Sequence, residues 1–416
     1  MAAIDNPVSL ADVLEARARI AGRVRETPML PNSLLSDHVG SSVLLKCENL
    51  QRTGSFKLRG AMNVLGTVAP GTGVVAASAG NHAQAVALAA AEYGVRSTIV
   101  MPKDAPLAKQ LATRDYGAEI ELVDGGLAVA IDRARVIAAE RELPFIPPFD
   151  HPAIVAGQAT LGLEVLEQAP DVETVIVPAG GGGLLAGVAL AVKAQRPSVR
   201  VIGVQTAAMP GILASLEAGS PMAALPARTV ADGAAVAGPS PLTFDLIRRY
   251  VDDVVTVSEE TIALAIVTLV ERARLVVEGA GALGVAALMS GAIASPGRTV
   301  AVLSGGNIDI NTIGRMVARG LLHEGRHRTL TVAVANIPGE LARVVSILGA
   351  RNANILEVMH ELVTADLPVG VTRLTLRVEV AGPEAFATLV DALVQGGLVR
   401  GETTDLMTPA AAAMPW

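Results

Sequence analysis

Lys57 lies in Gly54-Ser55-Phe56-Lys57-Leu58-Arg59-Gly60, an amine flanked by glycine and serine. Three further unusual segments follow at long intervals: Ser78-Ala79-Gly80-Asn81-His82, Gly180-Gly181-Gly182-Gly183-Leu184 and Ser304-Gly305-Gly306-Asn307. The glycine run stands between the apolar stretch Val175-Ile176-Val177-Pro178 and an alanine-rich helical pattern. Glycine lets the backbone approach an anion, and a helix N-terminus adds free N–H groups and a favourable dipole. An amine that can form an imine, a phosphate-sized cradle, an amide and a hydroxyl are what a pyridoxal phosphate site needs. A dinucleotide fold is the competing use of these glycines, because Gly181-x-Gly183-x-x-Ala186 fits its loose fingerprint. That fold requires an acid about twenty residues on for the ribose. No Asp or Glu occurs here between Ala186 and Glu217.

The elements that must hold these groups are visible as alternating patterns. Over residues 43–303, short β-rich runs (73–77, 97–101, 174–178, 199–204) alternate with alanine-rich helical runs such as 81–92, 106–116 and 184–194. Apolar strands without polar alternation are buried on both faces, which predicts an α/β architecture with parallel sheets. Ligands gather at the C-terminal ends of such strands, and Asn81, Gly180 and Ser304 each follow an apolar run at that end.

Composition narrows the function further. A chain of 416 residues with 51% hydrophobic and 18% charged residues reads as two or three globular domains. Its net charge of -7, from 40 acids and 33 bases without long single-sign blocks, lacks the basic footprint of a nucleic-acid binder. Aromatics at 2% remove the stacking platforms of single-strand binders. Cys47 is the single cysteine, so no internal disulfide forms, and it reads as a small buried hydrophobe in a reducing compartment. The N-terminus has no basic region followed by an apolar stretch, so a cytoplasmic protein is expected. Residues 174–192 carry no charge, but Pro178 and the glycines interrupt them. A buried strand–turn–helix explains them better than a membrane span.

The pattern changes after Leu321. His323-Glu324-Gly325-Arg326-His327-Arg328 reads as a linker, and residues 329–336 as a strand. Residues 338–352 read as a helix opened by Pro338, with Leu341, Val344, Val345 and Leu348 on one face. A strand at 354–362 follows. Leu374, Leu376, Val378 and Val380 then alternate with Thr375, Arg377 and Glu379 as a half-exposed strand. A helix at 382–396 and a short last strand at 397–402 complete a βαββαβ, ferredoxin-like α+β module, with a frayed tail at 403–416.

With its motifs in this order, the chain from Leu10 to about Glu402 resembles the fold-type II pyridoxal phosphate enzymes, and among them the threonine dehydratases (threonine ammonia-lyases). The resemblance implies a catalytic domain over 1–320, two α/β subdomains with open twisted sheets, the smaller (about 45–150) inserted in the larger. It makes Lys57 the Schiff-base lysine and places Phe56 against the cofactor ring. Asn81 would bond the ring hydroxyl, the backbone of Gly180, Gly181, Gly182, Gly183 and Leu184 the phosphate, and Ser304 the pyridine nitrogen. The loop Ser78, Ala79, Gly80, Asn81 and His82 would hold the substrate carboxylate, with Gln158 and Glu278 also in the site. His82 reads as a structural hydrogen-bonding histidine rather than an acid–base catalyst.

The implied reaction is β-elimination of L-threonine to 2-oxobutanoate and ammonia, towards isoleucine, with serine as a secondary substrate. Serine dehydration or racemisation and β-replacement synthesis are the same-fold alternatives. Ser304 bears on this choice, because a hydroxyl cannot keep the pyridine nitrogen protonated as a carboxylate can, and the weaker electron sink favours elimination. Ala79 stands where serine-racemising relatives carry a second serine, which disfavours racemisation. Relatives that bind a divalent cation place acids where this chain has Gln205 and Gly211, neither suited to a hard cation. The remaining histidines show no ligand spacing, so no metal is expected.

Residues 321–328 would be a linker, and 329–402 resemble an ACT domain, an amino-acid sensor. Asn336, Ile337, Pro338, Gly339, Glu340 and Leu341 would bind an amino-acid effector there. A homodimer or homotetramer is implied.

Overall fold

Thr174-Val175-Ile176-Val177-Pro178 is buried at every position, as an apolar run without alternation requires when both faces of a sheet are covered. The computed structural model describes residues 7–294, 296–362 and 367–398. Its strands are β1 (Met29–Pro31), β2 (Val43–Cys47), β3 (Gly73–Ala77), β4 (Arg96–Pro102), β5 (Glu119–Val123), β6 (Thr174–Pro178), β7 (Arg200–Thr206), β8 (Asp253–Val257), β9 (Thr299–Leu303), β10 (His327–Ala335), β11 (Asn354–Glu361) and β12 (Val371–Glu379). Contacts divide the chain between Ile313 and Gly314 into two compact units.

The first unit holds two open sheets. The larger has the order β1-β2-β9-β6-β7-β8 and the smaller β3-β4-β5. All pairings are parallel except β1 with β2. The chain leaves the large sheet after β2, builds the small one, and returns at β6. Helices Pro152–Gln168 and Gly183–Gln195 pack closely in the core. A methyl group on Gly187 would lie 2.7 Å from the Val155 carbonyl, so only glycine permits that approach. No helix among the described residues is long and apolar enough to cross a membrane.

A cluster of charges interrupts this apolar interior. Arg59 and Lys46 are fully buried, as is Glu48, and Glu164 is nearly so. The Arg59 guanidinium donates to both Glu48 oxygens at 2.8 Å and to the Glu164 oxygens at 2.6 and 2.9 Å. Lys46 Nζ donates to Glu164 Oε2 and to the Thr27 carbonyl, each at 2.7 Å, and to Gln168 Oε1 at 2.9 Å. Two cations thus face two anions, each anchored by further hydrogen bonds, which offsets their desolvation. Burial alone would raise the Glu48 carboxyl, but the charge and hydrogen bonds of Arg59 hold it below the usual carboxylate range. Together they tie β2, helix Lys57–Leu65 and helix Pro152–Gln168 to one another.

In the second unit β10, β12 and β11 form an antiparallel sheet in that order, joined by helices Glu340–Ala350 and Pro383–Gln395. Leu374, Leu376 and Val378 point into its core with Leu330, Val332, Val344, Leu348, Leu389 and Leu393. Three features differ from the sequence reading. The helix expected at Pro338 begins at Glu340, because Gly339 adopts φ +99, a left-handed turn that places Pro338 outside the helix. Much of the expected linker is regular structure: helix Ile310–His323 runs through residues 321–323, and β10 starts at His327. Of the expected strand at 397–402, residues 397 and 398 lie outside any strand. Its remainder and the tail fall outside the described residues.

Arg59→Met leaves two buried carboxylates short of a cation and should lower the unfolding free energy by about 3–5 kcal/mol, read by urea denaturation. Because the Glu48 carboxyl is depressed in the fold, its contribution is present above the ordinary carboxylate range. It is lost only as pH falls through the lowered value. A wild-type unfolding midpoint for Arg59→Met would mean that the network does not hold the fold.

Candidate active site

The motif segments converge at the C-terminal ends of β3, β6 and β9. The β2–β9 neighbourhood draws Lys57 to Ser304: the Phe56 N–H donates to the Ser304 carbonyl at 3.0 Å, and the Gly306 N–H to the Gly54 carbonyl at 2.9 Å. Ser55 and Gly305 pair as an isolated antiparallel bridge. Ser304 itself is buried. Lys57 opens helix Lys57–Leu65, and its Nζ donates to the Pro148 carbonyl at 2.9 Å, 5.2 Å from the Phe56 ring centre. The residue as a whole is half-buried, and its amine is desolvated enough to lower its pKa. Desolvation lowers it to about 8, against the opposing pull of the Glu278 charge. The lowering enlarges the neutral fraction near neutrality well beyond that of an ordinary lysine, as a nucleophile or base requires.

Three side chains bridge the two sheets. Asn307 Nδ2 donates to the Thr53 carbonyl at 2.7 Å and to Asn81 Oδ1 at 2.8 Å, and Asn81 Nδ2 donates to Glu278 Oε1 at 2.7 Å. Asn81 begins helix Asn81–Glu92. Glu278 precedes helix Gly279–Met289, its N–H donating to the Gly305 carbonyl at 3.0 Å. Burial raises the Glu278 carboxyl to about 7, reinforced by Asp232, while Asn81, Lys109 and Lys57 oppose the shift. His82 is buried, with Nε2 2.9 Å from the Ile146 carbonyl. Burial and the Lys57 charge push its pKa down to about 3, so the neutral ring donates that hydrogen bond. Ser78 Oγ accepts the Gly80 N–H at 3.1 Å.

The glycine run forms a cradle closely backed by neighbouring protein. Gly182 sits at φ +90, and the helix from Gly183 has no side-chain cap for its first N–H groups. A methyl on Gly181 would lie 2.5 Å from the Phe149 ring, one on Gly183 2.9 Å from Phe149 Cβ, and one on Gly180 3.0 Å from Ala234 Cα. A glycine-only nest with uncapped helix amides suits a phosphate, and a desolvated lysine amine suits an aldehyde. The residues present fit pyridoxal phosphate.

Two of the sequence-selected amides face the protein. Gln158 is buried, and its Oε1 accepts the Gly60 N–H at 3.2 Å, bracing the lysine helix. Gln205 Oε1 accepts the Ile212 and Leu213 N–H groups at 3.0 Å each, at the start of helix Gly211–Ala218. Other groups escaped the sequence reading: Phe149, Pro148, Lys109, Asp232, and Asn307 as a bridge. So did the buried ions, although Lys46 within the apolar β2 was a visible signal, since unpaired charges are rarely buried.

The family described as pyridoxal-phosphate dependent enzyme matches residues 20–305. The chain belongs to that family. It is 46% identical over 385 residues to the L-threonine ammonia-lyase of Geobacter sulfurreducens, covering 92% of this chain and 96% of that protein. The crystal structure of a threonine deaminase from T.th. superposes with a TM-score of 0.69 at 44% identity, covering 73% of this chain and 99% of that one. Maize serine racemase gives a TM-score of 0.71 at 34% identity, over 76% of this chain and 99% of its own.

Covalent capture of pyridoxal phosphate by the cofactor-free protein, fixed with borohydride and counted by mass, should rise with pH around a midpoint near 8. The sign follows from the amine, which reacts only when neutral. Lys57→Ala should capture none, and a midpoint in the ordinary lysine range would contradict the desolvated environment.

Proposed function

We propose that the protein deaminates L-threonine to 2-oxobutanoate and ammonia by pyridoxal-phosphate-dependent β-elimination, with serine as a secondary substrate. The reading is supported most by the Lys57 amine, lowered to about 8 and joined through Phe56 and Ser304 to the cradle end of the large sheet. The 46% identity to an L-threonine ammonia-lyase over 92% of the chain supports the choice of substrate. Pyridoxal phosphate, when bound, supplies the electron sink that acidifies the substrate Cα–H.

Lys57 Nζ would hold the cofactor through its aldehyde and would serve as the base that takes the substrate Cα proton. Loss of the β-hydroxyl with a proton, as water, gives an enamine that tautomerises and hydrolyses to the keto acid and ammonia. Gly180, Gly181, Gly182, Gly183 and Leu184 would hold the phosphate. Asn81, oriented by Asn307 and Glu278, would meet the ring hydroxyl, and Phe56 would line the ring. Ser304 would offer the ring nitrogen a hydroxyl rather than a carboxylate, a weaker support for its protonation, which favours elimination. The similarity to maize serine racemase makes serine racemisation the second reading. Ala79 offers no hydroxyl to deliver a proton to the opposite face, so racemisation is negligible.

The second unit acts as an ACT-type sensor in an oligomeric, cytoplasmic enzyme. An apolar amino acid binds along Asn336, Ile337, Pro338, Gly339, Glu340 and Leu341, its carboxylate on the N-terminus of helix Glu340–Ala350. Exposure of Ile337 (61%) and Leu341 (38%) leaves apolar surface for the side chain.

The holoenzyme should release 2-oxobutanoate from threonine without added thiol, and Lys57→Ala should lose several orders of magnitude. Ammonia without keto acid, or wild-type rates in the variant, would overturn the assignment. Deleting the residues after Leu322 should leave elimination and remove the response to isoleucine or valine, with subunit assembly measured alongside. A full effector response in the truncated enzyme would place sensing elsewhere.

A further inference from the structure

Lys109 belongs to none of the motifs, yet the topology carries it to the mouth of the site. β3 and β4 are parallel neighbours, so the loop after β3, which holds Gly80, lies beside the segment after β4. That segment leads into helix Leu107–Asp115, where Lys109 stands on the first turn. A methyl group on Gly80 would lie 3.7 Å from Lys109 Nζ. The side chain is only 17% exposed, and its Nζ donates to Asp232 Oδ2 at 3.3 Å. Asp232 opens the short turn Asp232–Ala234 on the opposite side of the cleft. The same turn backs the cradle, because Ala234 Cα lies against Gly180, and reaches Glu278, whose Oε1 is 3.5 Å from a methyl built on Gly233. The Asp232 side chain is 64% exposed, so this long ion pair is solvent-screened and weakly held.

We infer that Lys109 is a substrate-binding residue that exchanges Asp232 for the α-carboxylate of the incoming amino acid, held between its ammonium and the Gly80 loop. The inference rests on the amino-acid deaminase reading. Lys57 is committed to the cofactor, and His82 is neutral and turned to the Ile146 carbonyl. Lys109 is then the cation best placed at that loop. A partly buried ammonium beside backbone N–H groups makes a charge-assisted carboxylate site. Asp232 keeps the cation oriented between turnovers and is displaced at little cost, because its own carboxylate stays hydrated.

The test uses the pyridoxal-phosphate-loaded enzyme and its variants, with melting temperature and cofactor absorbance checked first. Lys109→Met should raise KM for L-threonine about tenfold or more while kcat changes little, and Lys109→Arg should restore most of the loss. Asp232→Asn should leave KM unchanged or lower it, whereas a mere structural strap would show the same rise in both variants. Binding is read independently from the change in cofactor absorbance on adding L-threonine or L-threoninamide. The wild type should favour the carboxylate, and Lys109→Met should lose that preference. An unchanged preference, or equal KM increases in Lys109→Met and Asp232→Asn, overturns the inference. A wild type that binds threonine but releases no keto acid defeats the deaminase reading instead, and the absorbance comparison still decides the role of Lys109.

Discussion

The structure depends on placing a guanidinium where no water reaches it. Arg59 lies two residues after Lys57 on the same short helix, and its fork is filled by Glu48 and Glu164. A buried ion accepts only arrangements that satisfy all its hydrogen bonds, so it fixes position more strictly than an apolar contact of similar size. Glu48 follows β2 and Glu164 lies on the helix that brings Gln158 against Gly60. The lysine helix is thereby held from two sides. Lys46 balances the second carboxylate, so the cluster carries no net charge into the core.

From that anchor the two sheets divide the work. The large sheet carries Ser304 and the glycine cradle, and the small one carries Asn81 and the Gly80 loop. Asn307 and Glu278 join them across the cleft. The titratable groups there are moved in opposite directions: the Lys57 amine falls to about 8 while the Glu278 carboxyl rises to about 7. Both shifts have burial as their largest cause, and both favour the neutral form. Burial thus weakens the charge of both groups relative to exposed residues, in a site suited to a cofactor phosphate and a zwitterionic substrate. His82 follows the same rule as a neutral donor.

Much of this was legible because it rests on local chemistry. A glycine run after an apolar strand can be read directly, and the helices expected near 81–92 and 184–194 start within a residue of those positions. What could not be read depends on partners distant in sequence. Gln158, expected near substrate, spends its oxygen on Gly60, because Gly60 has no side chain to keep the amide away. Asn307 was visible as a motif residue, but its bridge to Asn81 needs the β2–β9 pairing to exist first. The late start of the helix at Glu340 reflects Gly339, whose freedom at positive φ outweighs the preference of proline for a first turn.

Phe149 has a consequence beyond the contacts it makes. Its ring lies against Gly181 and its Cβ and backbone against Gly183, so protein atoms already constrain the curvature of the cradle. Such a nest is moulded before a phosphate arrives, and loading it requires little rearrangement of the backbone. The entropy of ordering that loop is met during folding and need not be drawn from cofactor affinity. A cradle braced in this way is expected to keep its shape when the prosthetic group leaves, so that reloading asks little of the backbone.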